Sequence, residues 1–90
     1  MGIVAVKIKL MPESLDVDLE KLQKNAKSLI EKQGGKNISF SEEPIAFGLK
    51  AIIVLFAWPE EKELENIERD LEKLKGIKSV HVMDIRRAFG

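Results

Sequence analysis

Few residues of this 90-residue sequence have the types and spacing that catalysis requires. His81 is the only histidine and there is no cysteine, which excludes a multi-histidine or thiolate metal site, a disulfide and a cysteine nucleophile. The acidic pairs Glu42 with Glu43 and Glu60 with Glu61 are typical of loop and helix-start charges rather than of an acid/base couple. Neither a Walker lysine loop nor a GxGxxG motif is present. The sequence therefore predicts a protein without covalent chemistry, cofactor or metal ion.

Charged residues are unevenly distributed, although 15 bases balance 15 acids. Segments 16–33 and 60–75, the predicted helices, hold 11 acidic and 8 basic residues, which leaves 4 acidic and 7 basic residues elsewhere. Five of these bases lie on predicted strands or at their ends: Lys7, Lys9, Lys50, Arg86 and Arg87. They would suit an acidic protein surface or a phosphate group, although lysines at sheet edges also suppress aggregation. Zero net charge argues against binding nucleic acid or a membrane through bulk charge.

The elements that must position these residues follow from the hydrophobic periodicity. In chain order the sequence predicts strand 3–11, helix 16–33, strand 37–41, strand 49–58, helix 60–75 and strand 78–86. Asp16 or Asp18 is expected to cap the first helix, and Pro59 is expected to begin the second. Segment 42–44, Glu-Glu-Pro, is expected to end the pairing of the second strand. No apolar run approaches the roughly 20 residues of a membrane span, and the first residues are not a signal peptide, so a cytoplasmic protein is expected.

The βαββαβ order predicts a ferredoxin-like α+β sandwich. Two βαβ units with right-handed crossovers interleave into a four-stranded antiparallel sheet of order 4-1-3-2, with both helices on one face. The long apolar runs of the first and third strands predict that these are central, and the alternating second strand is expected at an edge. The face without helices is expected either to contact a partner or to be covered by side chains from loops. We expect residues 1–90 to form one domain.

The segment Pro-Ile-Ala-Phe-Gly-Leu-Lys, residues 44–50, lies between the second and third predicted strands. Gly48 is free to adopt a positive φ there. An aromatic residue beside a glycine in such a loop has two interpretations. Phe47 either folds back onto the edge of the core or is an exposed anchor that inserts into a pocket of a partner.

Other activities of this fold make different demands on the sequence. Single-stranded RNA binding requires aromatic residues at alternate positions of the third strand, where segment 50–56 reads Lys-Ala-Ile-Ile-Val-Leu-Phe. An acylphosphatase requires a glycine-rich phosphate loop with an arginine after the first strand, where segment 11–14 reads Met-Pro-Glu-Ser. A dimeric small-ligand sensor of the ACT type is not excluded. The alternative hypothesis is therefore an RNA-binding or ligand-sensing module.

Segment 44–50, the Met-Pro pair at 11–12, the Asp-Val-Asp-Leu segment at 16–19 and the closing segment 80–85 carry a resemblance to a known family. Across nearly its whole length the chain resembles the archaeal elongation factor 1-beta family and the exchange domain of the eukaryotic elongation factor 1-beta proteins. The resemblance implies a guanine nucleotide exchange factor for the translational GTPase elongation factor 1-alpha. It implies binding to the GDP-bound and nucleotide-free GTPase, without direct contact to nucleic acid or a membrane.

The resemblance also implies a set of partner-binding residues. Phe47 matches the phenylalanine that docks into the nucleotide-binding domain of the GTPase. A lysine near the C-terminus of the eukaryotic relatives approaches the magnesium and phosphate site, but the tail of this sequence has two arginines and no lysine. Arg86 or Arg87 would substitute as the cation, although a guanidinium is planar and bulkier than an ammonium group. The residues assigned to partner binding are Pro44, Phe47, Gly48, Lys50, Arg86 and Arg87.

Overall fold

In the computed structural model, which describes residues 2–87, a four-stranded antiparallel sheet carries two helices on one face. The elements are β1 (Ile3–Pro12), α1 (Leu19–Lys32), β2 (Lys36–Pro44), β3 (Lys50–Pro59), α2 (Glu65–Glu72) and β4 (Ile77–Arg87). The strand order β2-β3-β1-β4 confirms the predicted ferredoxin-like order, read from the opposite edge. Within residues 2–87, neither helix has the length and apolar character needed to cross a bilayer.

Alternation along the two central strands directs one set of side chains toward the helices. Lys7 and Lys9 lie on the opposite face of β1, as the sequence predicts. The buried side chains beneath the helices are Val6, Ile8, Leu10, Ile52, Val54, Phe56, Trp58 and Ile77 from the strands and Leu22, Ala26, Ile30, Ile67 and Leu71 from the helices. Since none of these side chains is charged, the core is held by apolar burial and packing.

Helix α1 begins with a side-chain cap and ends at glycine. The Asp18 carboxylate accepts a hydrogen bond from the backbone N–H of Lys21 at 3.2 Å, so Asp18 is the N-cap. Beyond the helix, Gly34 has φ +107°, a conformation that a side chain disfavours. The N–H of Gly35 returns to the carbonyl of Ile30 at 2.9 Å, and a Cβ on Gly35 would overlap the Ile30 side chain. The glycines therefore let the chain turn directly into β2.

Replacing Asp18 with alanine is expected to lower the free energy of unfolding by about 1 kcal/mol, because the first turn of α1 loses its side-chain acceptor. Asp16 is the matched control: it is exposed in the same loop and its carboxylate does not cap the helix. Asp16→Ala is expected to change stability by less than about 0.5 kcal/mol. Urea unfolding followed by circular dichroism measures both variants, and equal losses would contradict the assignment of the cap.

The prediction that Pro59 begins the second helix is wrong. Pro59 is the last residue of β3 and pairs with Ile3, and α2 begins only at Glu65. Backbone bonds from Glu60 N–H to the Gly2 carbonyl, 2.9 Å, and from Lys62 N–H to the Pro59 carbonyl, 3.1 Å, hold the intervening segment as a turn. These tertiary and turn contacts prevail over the preference of proline for a first helical turn.

The prediction that segment 42–44 ends the pairing of β2 is also wrong. Glu42 pairs with Ile52 and Pro44 pairs with Lys50, so the ladder continues to the last residue of β2. An edge strand tolerates a proline, because one side of its backbone has no neighbouring strand. The pairing of β2 with β3 therefore extends to Pro44, and the loop that connects the two strands is short.

The sheet face without helices carries a partly covered apolar stripe from β3. Lys9 of β1 and Glu43 of β2 form an ion pair of 3.3 Å between Nζ and Oε2. Because β3 lies between those two strands, the pair crosses Ala51 and Ile53, which are 0% and 8% exposed. Leu55, farther along β3, is 44% exposed. Side chains of the neighbouring strands, rather than of loops, therefore cover part of this face.

Candidate functional site

Residues 45–49 connect β2 to β3 as a short loop with a hydrogen-bonded base. The N–H of Ile45 donates to the carbonyl of Leu49 at 2.8 Å, and the N–H of Leu49 donates to the carbonyl of Ala46 at 3.3 Å. The second of these bonds closes a four-residue turn, and Phe47 and Gly48 are its two central residues. The register of the hairpin and these two bonds hold the loop in a defined position, so the ring at its tip is presented by a constrained backbone.

Phe47 has a strained backbone and an exposed side chain. Its φ and ψ are 62° and 29°, and Gly48 follows with φ 78°. Glycine adopts this left-handed region freely, whereas a residue with a Cβ loses about 1 kcal/mol or more there. The Phe47 ring is 92% exposed, so burial does not compensate for the strain. Of the two orientations considered for Phe47, the structure has the exposed one. Backbone strain of this kind is often found at functional sites.

A second exposed apolar side chain lies beside this loop. Leu15, in the connection between β1 and α1, is 67% exposed. One of its methyl groups lies 3.7 Å from the position that a Cβ on Gly48 would occupy. A cleft of about 180 Å³ separates the two loops, and Pro12, Val17 and Leu49 line its walls. The sequence analysis missed Leu15; the available signal was a leucine in a polar loop, between Ser14 and Asp16.

The cations of the predicted site lie at two ends of the sheet. Lys50 is at the base of the Phe47 loop, with its Nζ 3.7 Å from Oε1 of Glu42. Arg87 pairs with Val4 at the start of β1, whereas Lys50 is level with the end of β1. The distance between Lys50 and Arg87 along the strand direction is therefore about 27 Å, at the usual rise per residue of a strand. The structure therefore brings Pro44, Phe47, Gly48 and Lys50 together and does not bring the two arginines to them.

The two arginines face opposite sides of the sheet. A register shift between Lys7 and Ile8 marks a bulge in the pairing of β1 with β4. Past the bulge, Arg86 Nε contacts Asp84 Oδ2 at 2.6 Å, while Arg87 Nη2 contacts Glu60 Oε1 at 2.6 Å. The hydrogen bond and the charge of Glu60 raise the pKa of the Arg87 guanidinium above its ordinary value. Both pairs are exposed, and exposed ion pairs are weak, so each guanidinium can exchange its carboxylate for another anion.

The described part of the chain, residues 2–87, contains no group of three histidine, aspartate or glutamate side chains that could hold a metal ion. The arrangement instead combines a constrained aromatic loop with exposed cations, which suits contact with another protein. Fold and sequence together define an EF-1 guanine nucleotide exchange domain, whose sequence profile matches residues 5–88.

Curated relatives match over nearly the full length of the chain. Elongation factor 1-beta of Methanosarcina barkeri is 46% identical over 88 residues, which cover 97% of this chain and 99% of the relative. The protein of the same name from Methanothermobacter thermautotrophicus is 41% identical over 97% of this chain and 98% of its own length. That of Archaeoglobus fulgidus is 34% identical over 94% and 97%. The chain belongs to the elongation factor 1-beta family, which confirms the resemblance inferred from its motifs.

Proposed function

We propose that this guanine nucleotide exchange domain promotes release of GDP from elongation factor 1-alpha by inserting Phe47 into the nucleotide-binding domain of the GTPase. The observation that carries the proposal is the Phe47 ring, 92% exposed on a strained backbone at the tip of a hydrogen-bonded loop. The protein binds the GDP-bound and nucleotide-free GTPase in the cytoplasm and forms no covalent bond with nucleotide. Neither nucleic acid nor a membrane is a direct partner, and residues 1–90 act as one domain.

Exchange requires that the protein bind the nucleotide-free GTPase better than the loaded one. By linkage, nucleotide then weakens binding of the exchange factor by the same factor. A 1,000-fold acceleration of release corresponds to a barrier lower by about 4 kcal/mol. A buried aromatic contact at the centre of an interface contributes about 2 to 4 kcal/mol on truncation. Because the Phe47 ring is already exposed and its loop already formed, little ordering opposes insertion.

Residues around the ring have supporting roles in this proposal. Pro44 is the last residue of β2 and Gly48 follows the ring, so both define the shape of the loop. Lys50 lies at the loop base and is 55% exposed at its side chain, paired only loosely with Glu42 at 3.7 Å. It orients docking through an acidic group of the GTPase.

The C-terminal arginines act on a second region of the same partner. They lie about 27 Å from the Phe47 loop, and a standard interface of about 800 Å² per partner is about 30 Å across. One interface therefore accommodates both ends of the sheet. One guanidinium leaves its carboxylate and competes with magnesium for phosphate oxygens of the bound nucleotide. Since Arg86 and Arg87 face opposite sides, only one of them reaches a single phosphate site.

The proposed function is tested by GDP release from the cognate GTPase, loaded with fluorescent GDP and chased with unlabelled nucleotide. The full chain is expected to accelerate release and to be displaced from the nucleotide-free GTPase when GDP is added. No acceleration over a range of concentrations would overturn the proposal. Salt-sensitive retention of single-stranded RNA would instead favour the RNA-binding alternative, and a rise in melting temperature with amino acids would favour a ligand sensor.

Separate replacement of Arg86 and Arg87 with alanine is expected to distinguish their roles. One variant should slow stimulated GDP release about tenfold, as expected for loss of one charged hydrogen bond, and the other should change it by less than about twofold. Lys27→Ala, which removes a charge from the exposed face of α1, is the control for a general effect of charge. Wild-type exchange by both single variants and by the double variant would exclude the arginines from the mechanism.

A further inference from the structure

Leu15 lies at the tip of a turn that is formed independently of the Phe47 loop. The N–H of Val17 donates to the carbonyl of Ser14 at 3.5 Å, and the N–H of Asp16 donates to Ser14 Oγ at 3.3 Å. Leu15 and Asp16 are therefore the central residues of a four-residue turn. Such positions favour proline, glycine, asparagine, aspartate or serine, each for a backbone reason that leucine does not satisfy. Local turn chemistry thus does not explain a leucine here.

Packing does not explain this leucine either. Leu15 is 67% exposed, and only Phe47 is more exposed among the large apolar side chains of residues 2–87. These two residues lie in neighbouring loops at the same end of the sheet, and the Leu15 side chain reaches the backbone beside the ring at Gly48. Single exposed apolar residues are ordinary, but two adjacent ones form a patch that water disfavours. The patch adjoins the cleft between the loops, whose walls include Pro12, Val17 and Leu49.

We infer that Leu15 is a second apolar contact for the GTPase, beside the pocket that receives Phe47; this inference rests on the function proposed above. A ring at a loop tip enters a pocket only if the rim of the pocket closes against the neighbouring surface. Leu15 is part of that surface, so the group of the GTPase that packs against Leu15 is an apolar side chain at the rim of the pocket. Contacts around a central aromatic residue exclude water from it and add apolar burial of their own.

The two side chains differ in what they do for exchange. Leu15 contacts the rim whether or not nucleotide is present, so it strengthens binding of the loaded and the empty GTPase alike. Phe47 enters a pocket whose opening accompanies release, so it acts on the transition state. An interaction that is equal in both states changes the concentration required and leaves the maximal rate unaltered.

Titration of the full chain against GTPase loaded with fluorescent GDP separates these roles. Leu15→Ala is expected to raise the concentration for half-maximal stimulation about tenfold, equivalent to about 1.4 kcal/mol, and to keep the maximal rate within about twofold. Leu15→Met, which retains an apolar side chain of similar volume, should restore most of the affinity. Leu55→Ala is the matched control, because it removes a leucine that is 44% exposed on another face. Melting temperatures establish that each variant folds.

The outcomes distinguish this inference from the proposed function. If the wild-type chain does not accelerate GDP release, both are overturned. If the wild type accelerates release and Leu15→Ala has the wild-type half-maximal concentration, only the role of Leu15 is overturned. If Leu55→Ala raises the half-maximal concentration as much as Leu15→Ala does, the role of Leu15 is also overturned. The effect then reflects general loss of apolar surface rather than a contact beside Phe47.

Discussion

Phe47→Ala is expected to lower the maximal rate of stimulated GDP release about 100-fold, corresponding to about 2.7 kcal/mol. The ring is 92% exposed, so its loss removes almost no contact that stabilises the fold. The variant should therefore keep the urea midpoint of the wild type. The rate is measured at saturating concentrations, so that weaker binding is not mistaken for slower release. A variant that exchanges like the wild type would remove Phe47 from the mechanism.

Phe47→Gly provides a matched control for the strained backbone. Alanine at this position keeps a Cβ at φ 62°, whereas glycine adopts that conformation without a steric penalty. The glycine variant is expected to be more stable than the alanine variant by about 1 kcal/mol. Both lack the ring, so both should show the same exchange defect. If exchange followed stability instead, the backbone of the loop rather than the aromatic contact would control the activity.

The strand order was predictable because the βαββαβ order and the long apolar runs of β1 and β3 place these two strands at the centre of the sheet. In β1 the alternation of Val6 and Ile8 with Lys7 defines one buried and one open face, and shifting the register by one residue would bury a charge. In α1 the spacing of the apolar residues and the Asp18 cap define a helix from local sequence alone. Such signals depend on neighbours along the chain, and for that reason sequence reasoning recovers them.

The errors occurred where contacts outside the local hydrophobic pattern decide the structure, some of them with residues only a few positions away. Pro59 has the residue type of a helix start, but its segment is held by Gly2 through Glu60 and by the Trp58 indole, whose Nε1 donates to the Lys62 carbonyl at 3.1 Å. Segment 42–44 has the composition of a strand end, yet β3 is close enough to continue the ladder. Neither neighbour is visible in the local pattern.

The candidate site was predicted in part. The composition of segment 44–50 indicated a loop with a prominent aromatic, but not the left-handed φ that directs Phe47 outward. Leu15 was missed because an apolar residue in a short sequence is ordinarily assigned to the core. Arg86 and Arg87 point to opposite faces through the ordinary alternation of a strand. Which face each of them takes depends on a bulge at Met83 of β4, and no residue type there indicates that bulge.

Trp58→Ala is expected to lower the free energy of unfolding by about 4 kcal/mol, the largest stability effect that we predict. Trp58 is 2% exposed and packs edge-to-face on Phe56, with ring centroids 5.8 Å apart. The Nζ of Lys62 lies 5.0 Å from its ring centroid, which adds a cation–π contact. Trp58→Phe keeps an aromatic ring but leaves the Lys62 carbonyl without its indole donor, so a loss of about 1 to 2 kcal/mol is expected. Unfolding of these variants is followed by circular dichroism rather than by tryptophan fluorescence, because Trp58 is the only tryptophan of the chain.

The same pair of variants tests whether the fold and the Phe47 loop are independent. Trp58 lies at the far end of β3 from the loop, about 27 Å away at the usual rise of a strand. Core packing at that end holds the sheet together, whereas the backbone hydrogen bonds of residues 45–49 hold the loop. Folded Trp58→Phe should therefore stimulate GDP release within about twofold of the wild type at a temperature well below its melting transition. A large loss of exchange by the folded variant would mean that the position of Phe47 depends on packing across the whole sheet.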